Sequence, residues 1–313
     1  MNKQSQAQVR EESLRLYDQL VSDDVGQHKA AAMSLTDYTR EGNREGSFAS
    51  KIIEPSPFDR DRLQMEMHTD QPMMLFEFEP SSPFAYTVDY GTTPAQFVPR
   101  GRRYPVVFSR EQTQEVSIDL LELQTYKYDM RQILGDNMTK DLIARRDNRL
   151  LQAVHDILGA VGTVLPWVGK AMHVDMESAL THSAWARSKN VMRDTLFSIE
   201  PTKVLQSHLR IADWESFIHD DLRGTSGIED LMRNGFTMEK YAGLDLMFTI
   251  KKNLVAYSDS YYFGPQDFLG RYVNWHEPTM SLEKKDTEIK FYLYEVFGLT
   301  LAHPGALSII KYQ

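Results

Sequence analysis

The chain has 313 residues, 42% hydrophobic and 11% aromatic, enough for one large domain or two small ones and unlike a disordered protein. Its formal net charge of −9 shows no basic excess for gripping phosphates, which sets sequence-specific DNA or RNA recognition aside. With no cysteine, disulfides, thiolate nucleophiles and Cys-type zinc sites are excluded, and a reducing cytoplasm suits its assembly.

Residues 1 to 50 are polar and charged. The start, Met1-Asn-Lys-Gln-Ser-Gln6, leads into no apolar segment, so no secretory signal is expected. Val9, Leu14, Leu16, Tyr17, Leu20 and Val21 form a broken helical stripe, and Arg40 to Ser47 is a loop signal. We read an extended arm with a short amphipathic helix; a frayed terminus is the alternative. The longest apolar stretch, Ile157 to Val168, carries Gly159, Gly162 and Pro166 and falls short of the ~18–20 residues of a membrane span.

Residues 75 to 108 predict a long β-hairpin. Leu75 to Phe78 gives one strand, and Tyr86, Val88 and Tyr90 alternate with polar residues at period 2. A polar turn at Pro99-Arg-Gly-Arg-Arg103 precedes Tyr104 to Phe108. Few of these residues look like core, so the hairpin is expected to lean on something else. Val116, Ile118 and Leu120 begin a long strand. Asp136 or Asn137 caps a helix expected to run to Gly159. Met138, Leu142, Leu150, Ala153, Val154, Ile157 and Leu158 lie on one face. Arg145, Arg146, Asp147, Asn148 and Arg149 make its middle very polar, so the centre is expected to be wet or interface-facing. A second helix is expected from Met176 to Met192 with Asp175 as cap, a strand over Pro201 to Leu205, and a helix from Ser207 through Trp214 and Ile218. Asp220-Asp-Leu-Arg-Gly-Thr-Ser-Gly227 is a Gly-bearing loop. Strands and turns from Tyr241 to Ile310 close the chain. The mixed order gives an α+β class.

The usual catalytic signatures are missing: no Gly-x-Ser-x-Gly, no Gly-x-Gly-x-x-Gly, no Walker-type lysine loop, no His-Glu-x-x-His. We therefore expect no catalytic residue and no cofactor. His173 with Asp175, or His219 with Asp220 and Asp221, has ligand chemistry, but polar loops with a stray histidine are ordinarily solvated. His155 reads either as a pH switch at an interface or as a satisfied histidine. Arg100, Arg102 and Arg103 form a solvated turn or an ion-pairing tip that docks on an acidic neighbour. Tyr261, Tyr262, Phe263 and Phe268 at strand spacing read as core before they read as a ligand box.

Three segments carry a resemblance: Tyr241-Ala-Gly-Leu-Asp-Leu246, Tyr262-Phe-Gly-Pro-Gln-Asp-Phe-Leu-Gly270 and Glu295-Val-Phe-Gly-Leu-Thr-Leu-Ala-His-Pro-Gly-Ala306. With the order of elements over residues 50 to 313, the chain resembles the tailed-bacteriophage major capsid proteins of the Hong Kong 97-type fold. Encapsulins and herpesvirus capsid floors share that fold. The resemblance implies an N-terminal arm over 1–50 and an E-loop hairpin over 70–110. It implies a peripheral domain from 51–69, 111–172 and 286–313, with a long spine helix, and an axial domain over 173–285. Arg100, Arg102 and Arg103 would then be an E-loop tip touching a neighbouring subunit. Asp220, Asp221, Arg223 and Gly224 would face the capsomer centre.

The implied role is structural and not enzymatic: hexamers and pentamers of an icosahedral head enclosing double-stranded DNA. Implied partners are the chain itself, a portal protein, scaffolding and decoration proteins, and packaged DNA held non-specifically, with no membrane. The implied location is the virion, after assembly in the host cytoplasm. The chain departs from the family variant in which an E-loop lysine joins a neighbour's asparagine, since no lysine lies between Lys51 and Lys127. No long charged scaffold-like segment precedes the arm, so scaffolding is expected to be separate. An encapsulin-type compartment and a soluble hydrolase are the competing readings.

Overall fold

The structure is a computed structural model, described over residues 46–65, 70–77, 103–119, 137–214, 239–241, 243–251, 253–285 and 288–313. In chain order, helix α1 (Phe48–Ile52) precedes strands β1 (Pro55–Pro57), β2 (Leu63–Met65), β3 (Pro72–Glu77), β4 (Arg103–Gln112) and β5 (Val116–Asp119). The long helix α2 (Met138–Leu158) is followed by β6 (Val164–Leu165), β7 (Lys170–Ala171), β8 (His173–Asp175) and helix α3 (His182–Arg193). Then come β9 (Lys203–Ser207), β10 (Glu239–Tyr241), β11 (Leu244–Thr249), β12 (Asp259–Phe263) and the single-turn helix α4 (Gln266–Leu269). Two long strands, β13 (Gly270–Lys285) and β14 (Glu288–Leu301), and β15 (Leu307–Lys311) complete the chain.

The first sheet has the order β1-β13-β14-β4-β3-β2, with β5 also on β14. Its backbone is the antiparallel hairpin of β13 and β14, which pairs Tyr272 with Leu299 and Met280 with Leu293. The ladder slips between Asn274 and Thr279. Pro278 sits there, has no N–H to give a ladder, and so places a bulge where pairing must break. Gly298 faces β4 closely: a Cβ there would stand 2.6 Å from Val106 Cγ1. Only glycine lets the two backbones approach that far.

Strands β3 and β4 form the stem of the expected hairpin, with Met73 opposite Val107 and Glu77 opposite Arg103. The alternating residues Tyr86, Val88 and Tyr90, read as one of its strands, lie outside the described residues. The stem leans on other parts of the chain, as expected. Met74, Val106, Phe108 and Val273 are buried together at the stem, and Phe58 and Trp275 pack on them. Phe58 stacks on Trp275 at 5.2 Å, and Phe108 meets Trp275 edge-on at 5.4 Å. The aromatic partners come from β13 and from the loop after β1, which local reading of residues 75–108 cannot supply.

The second sheet has the order β10-β11-β9-β12-β15-β8, with β11–β9 and β15–β8 parallel. All five residues of β12 are buried, as suits a central strand covered on both faces. Tyr261, Tyr262 and Phe263 are thus core, as the sequence suggested. The sheets do not follow the boundary expected at residue 285. Strand β13 belongs to the first sheet, and the C-terminal β15 returns to the second. The crossing occurs at Gly270, with φ +144°, where a Cβ would lie 2.2 Å from the Thr300 carbonyl oxygen.

Helix α2 starts after Asn137 and ends at Gly159, whose φ of +66° is the left-handed stop the sequence signals. Helix α3 starts later than expected. Asp175 Oδ1 accepts from the Glu177 amide at 3.0 Å and makes a turn, while Thr181 Oγ1 accepts from the Ala184 amide and caps the helix. Residues 173–175, next to the expected cap, are strand β8 instead. Residues 46–50, assigned by sequence to the polar arm, include the buried Ser47, Phe48 and Ala49. One apolar core joins α1, α2, α3 and the second sheet to Tyr272, Phe297, Leu299 and Leu301 of the first.

Candidate functional site

The polar middle of α2 is where the two sheets are tied together. The sequence predicts a wet or interface-facing centre; the structure leaves Arg145 exposed but buries Arg146 and Asp147 within the chain. Arg146 Nη2 donates to Glu295 Oε2 on β14, and both side chains are almost wholly shielded from water. The Arg146 guanidinium also lies 5.6 Å from the ring centres of Tyr272 and Phe297. Burial alone would lower the pKa of Arg146, but the Glu295 carboxylate and other neighbours outweigh it and hold the group above its ordinary value. One turn on, Arg149 donates to Ser109 Oγ and sits 3.3 Å from Glu111 Oε1 on β4. Burial pulls Arg149 below its ordinary value, and Glu111 opposes that shift. Arg145 reaches the other oxygen of Glu111 at 3.3 Å.

Asp147 faces the opposite way and holds the segment at residues 46–54. Its Oδ1 accepts from Ser47 Oγ at 2.8 Å and from the Ala49 amide at 3.0 Å. Its Oδ2 accepts from Lys251 Nζ. Lys203 Nζ donates to the Lys51 and Ile52 carbonyls, at 2.6 and 3.0 Å, satisfying the last turn of α1. Gln266 Nε2 donates to the Glu54 carbonyl at 3.0 Å. Side chains from α2, β9, α4 and the loop after β11 thus fasten one strap across the second sheet.

His155 is exposed at the surface and also has a partner within the chain. Its Nε2 is 3.0 Å from the Tyr261 hydroxyl, and its ring lies 6.4 Å from that of His173. Burial pushes its pKa below the ordinary histidine value, against the pull of Asp259. His173 donates through Nδ1 to the Gly159 carbonyl at 2.9 Å, closing the end of α2. Asp175 is spent on its own turn. Among the described residues no group of three or more His, Cys, Asp or Glu is placed to hold a metal ion. His219 lies outside them.

Arg100, Arg102, Asp220, Asp221, Arg223 and Gly224 also lie outside the described residues. Arg103 is described. It stands in β4 and not on a turn, and its Nη2 pairs with Glu77 Oε1 across the stem at 3.0 Å, both side chains exposed. The sequence reading missed a cluster of exposed apolar side chains around the β6–β7 hairpin: Val161, Val164, Trp167, Leu196 and Phe197. The signal was present in the stretch 157–168. Its length excluded a membrane span, yet its glycines and proline set Trp167 on a turn and not in a core.

The long helix α2 thus lies between two sheets, and the β3–β4 stem belongs to the first of them. No family model matches the sequence, and no curated protein does. Among solved structures the chain is similar to the capsid of cyanophage P-SCSP1u, with a TM-score of 0.54 over 80% of this chain and 85% of that one. It is similar to the capsid asymmetric unit of cyanophage Pam1, with a TM-score of 0.54 over 82% and 88%. It is similar to the mature capsid of bacteriophage PhiM1, with a TM-score of 0.53 over 86% and 87%. The identities are 11%, 9% and 8%, so the likeness is one of architecture. The resemblance to tailed-phage major capsid proteins therefore holds at the level of the fold.

Proposed function

We propose that this chain is the major capsid protein of a tailed phage. It self-assembles into hexamers and pentamers of an icosahedral head around double-stranded DNA. The observation that carries the reading is agreement with phage capsids over four-fifths or more of this chain and of each of theirs. In this assignment β3 and β4 are the stem of the E-loop and α2 is the spine helix of the peripheral domain. The second sheet is the heart of the axial domain, with residues 220–224 at the capsomer centre. Portal, scaffolding and decoration proteins are its partners, and the virion is its destination after assembly in the host cytoplasm. The role is structural and not catalytic. Arg100 and Arg102 dock on acidic residues of an adjacent subunit, Arg103 being already paired with Glu77 in its own stem.

The test is electron microscopy of the purified protein, alone and with its scaffolding partner. Capsomers or closed shells are expected. A stable monomer at every concentration, scaffold included, refutes the reading. Particles carrying a cargo enzyme in place of genomic DNA would move the chain to the encapsulin class. With no cysteine and no lysine between Lys51 and Lys127, mature shells should fall apart into single chains on denaturing gels. Covalent ladders there would show a different joined pair.

A further inference from the structure

Two turns and one loop bring five large apolar side chains to the surface together. Val161 and Val164 precede the β6–β7 hairpin, or open it, and Trp167 stands in its turn, 63% exposed. Leu196, 81% exposed, and Phe197 follow α3. The two pieces touch: a Cβ on Gly169 would lie 3.6 Å from Leu196 Cδ1. Lys170 of β7 pairs with Asp194 beside Leu196 at 3.0 Å.

The patch is rigidly backed. Buried Val168 anchors the turn, and the Val168 and Gly169 amides both donate to the Leu165 carbonyl, at 3.0 and 2.8 Å. The Phe197 ring packs edge-on against His303 at 4.2 Å. Five such side chains expose on the order of 500 Å², at the upper end of what a monomer ordinarily leaves uncovered. A stable interface needs about 800 Å² per partner, with an apolar centre and a polar rim. The patch supplies the centre. Lys170, Asp194, Arg193 and Glu200 supply the rim, as two pairs already closed within the chain at 3.0 Å.

We propose that this patch is a self-contact, in which Trp167 and Leu196 of one copy pack against the same patch of a second copy. Two observations select that occupant. The rim carries two cations and two anions, so it is self-complementary and offers no field to nucleic acid or an anionic membrane. The apolar area is of the size a two-fold contact requires at its centre. The inference rests on the shell-subunit reading and adds to it the surface that one pair of subunits shares.

The absence of cysteine gives a direct test. Leu196→Cys and Trp167→Cys each introduce the chain's sole thiol, and Ile250→Cys is an exposed control. In assembled particles, mild oxidation should convert the first two to disulfide dimers and leave the control monomeric on non-reducing gels. The double variant Trp167→Ser/Leu196→Ser should fold as the parent does by circular dichroism. Its association should weaken about ten-fold or more. If the parent assembles while the double variant assembles equally well and no patch thiol couples, the self-contact is overturned and the shell reading stands. Loss of vesicle binding in the double variant, with assembly intact, would assign the patch to a membrane and also overturn it. A parent that never associates would remove the shell reading as well.

Discussion

Neutralising Glu295 should destabilise the subunit more than its modest change in shape suggests. Glu295→Gln keeps the volume and removes the charge opposite Arg146. Arg146 cannot follow by losing its proton, because a guanidinium stays protonated in proteins. It is left as a cation without its direct partner, its side chain only 5% exposed. Breaking one side of a buried ion pair costs about 3–5 kcal/mol. The rings of Tyr272 and Phe297, each 5.6 Å from the guanidinium, are there in parent and variant alike and cancel, while the nearby Asp147 carboxylate keeps the loss at the low end of that range. The expected net loss is about 3 kcal/mol, a large share of the ~5–15 kcal/mol that holds a typical protein folded.

Urea unfolding followed by tryptophan fluorescence should show a lower midpoint with an unchanged slope. Replacing the whole pair, Arg146→Met with Glu295→Leu, should recover most of the loss, since neither side then strands a charge. A Glu295→Gln variant within about 1 kcal/mol of the parent would refute the reasoning, because it would mean that water reaches the pair.

Three further outcomes follow from the same geometry. Asp147→Ala removes the acceptor for Ser47 Oγ, the Ala49 amide and Lys251, so residues 46–54 should become the first site of limited proteolysis, with a stability loss of about 2–4 kcal/mol. Gly270→Ala places a Cβ 2.2 Å from the Thr300 oxygen at a φ only glycine accepts, and thermal melting should show a loss above about 2 kcal/mol. His303 accepts from the Gly305 amide through Nδ1 at 2.8 Å, and burial sets its pKa below the ordinary value, as it does for His155. The unfolded chain therefore takes up protons first. Stability is full above the ordinary histidine pKa of about 6.5 and falls as pH drops toward the folded value. His155→Gln with His303→Asn should flatten the melting temperature between about pH 7 and pH 5.

Local signals were readable wherever a residue's partner lay nearby in sequence. Helix α2 was legible because Gly159 acts on its own turn and Met138, Leu142, Leu150 and Leu158 repeat at the helical period, although Asn137 makes no side-chain capping bond at its start. Tyr261 to Phe263 read as core because a central strand hides both faces. The polar run Arg145 to Arg149 was misjudged for the converse reason. Glu295 is 149 residues from Arg146, and Lys251 is 104 from Asp147. A charged run looks solvated until its distant counter-charges are placed, and no periodicity announces them. The start of α3 failed more locally: Asp175 and Thr181 are both competent caps, and Asp175 spends its carboxylate on the Glu177 amide instead. The exposed patch has the composition of a core, so only its turn geometry separates it from one.

On the proposed shell-subunit reading, copies without covalent links have to be held by many weak contacts, each worth little alone. Such contacts add only if every copy presents them at the same angle, because a subunit that flexes spends each contact on ordering itself. The first sheet leads through β4 toward the proposed arginine contact, the β6–β7 hairpin that follows α2 carries the apolar patch, and α2 and its ion pairs fix one main sheet against the other. Arg146 grips β14, Arg149 and Arg145 grip β4, and Asp147 grips the strap that crosses the second sheet. A wholly apolar seam would hold the sheets as firmly, yet apolar faces slide past one another at small cost. Directed charge pairs between α2 and two different strands admit one register. On that argument the buried charges that cost this chain stability in isolation are what make its surfaces repeatable from copy to copy.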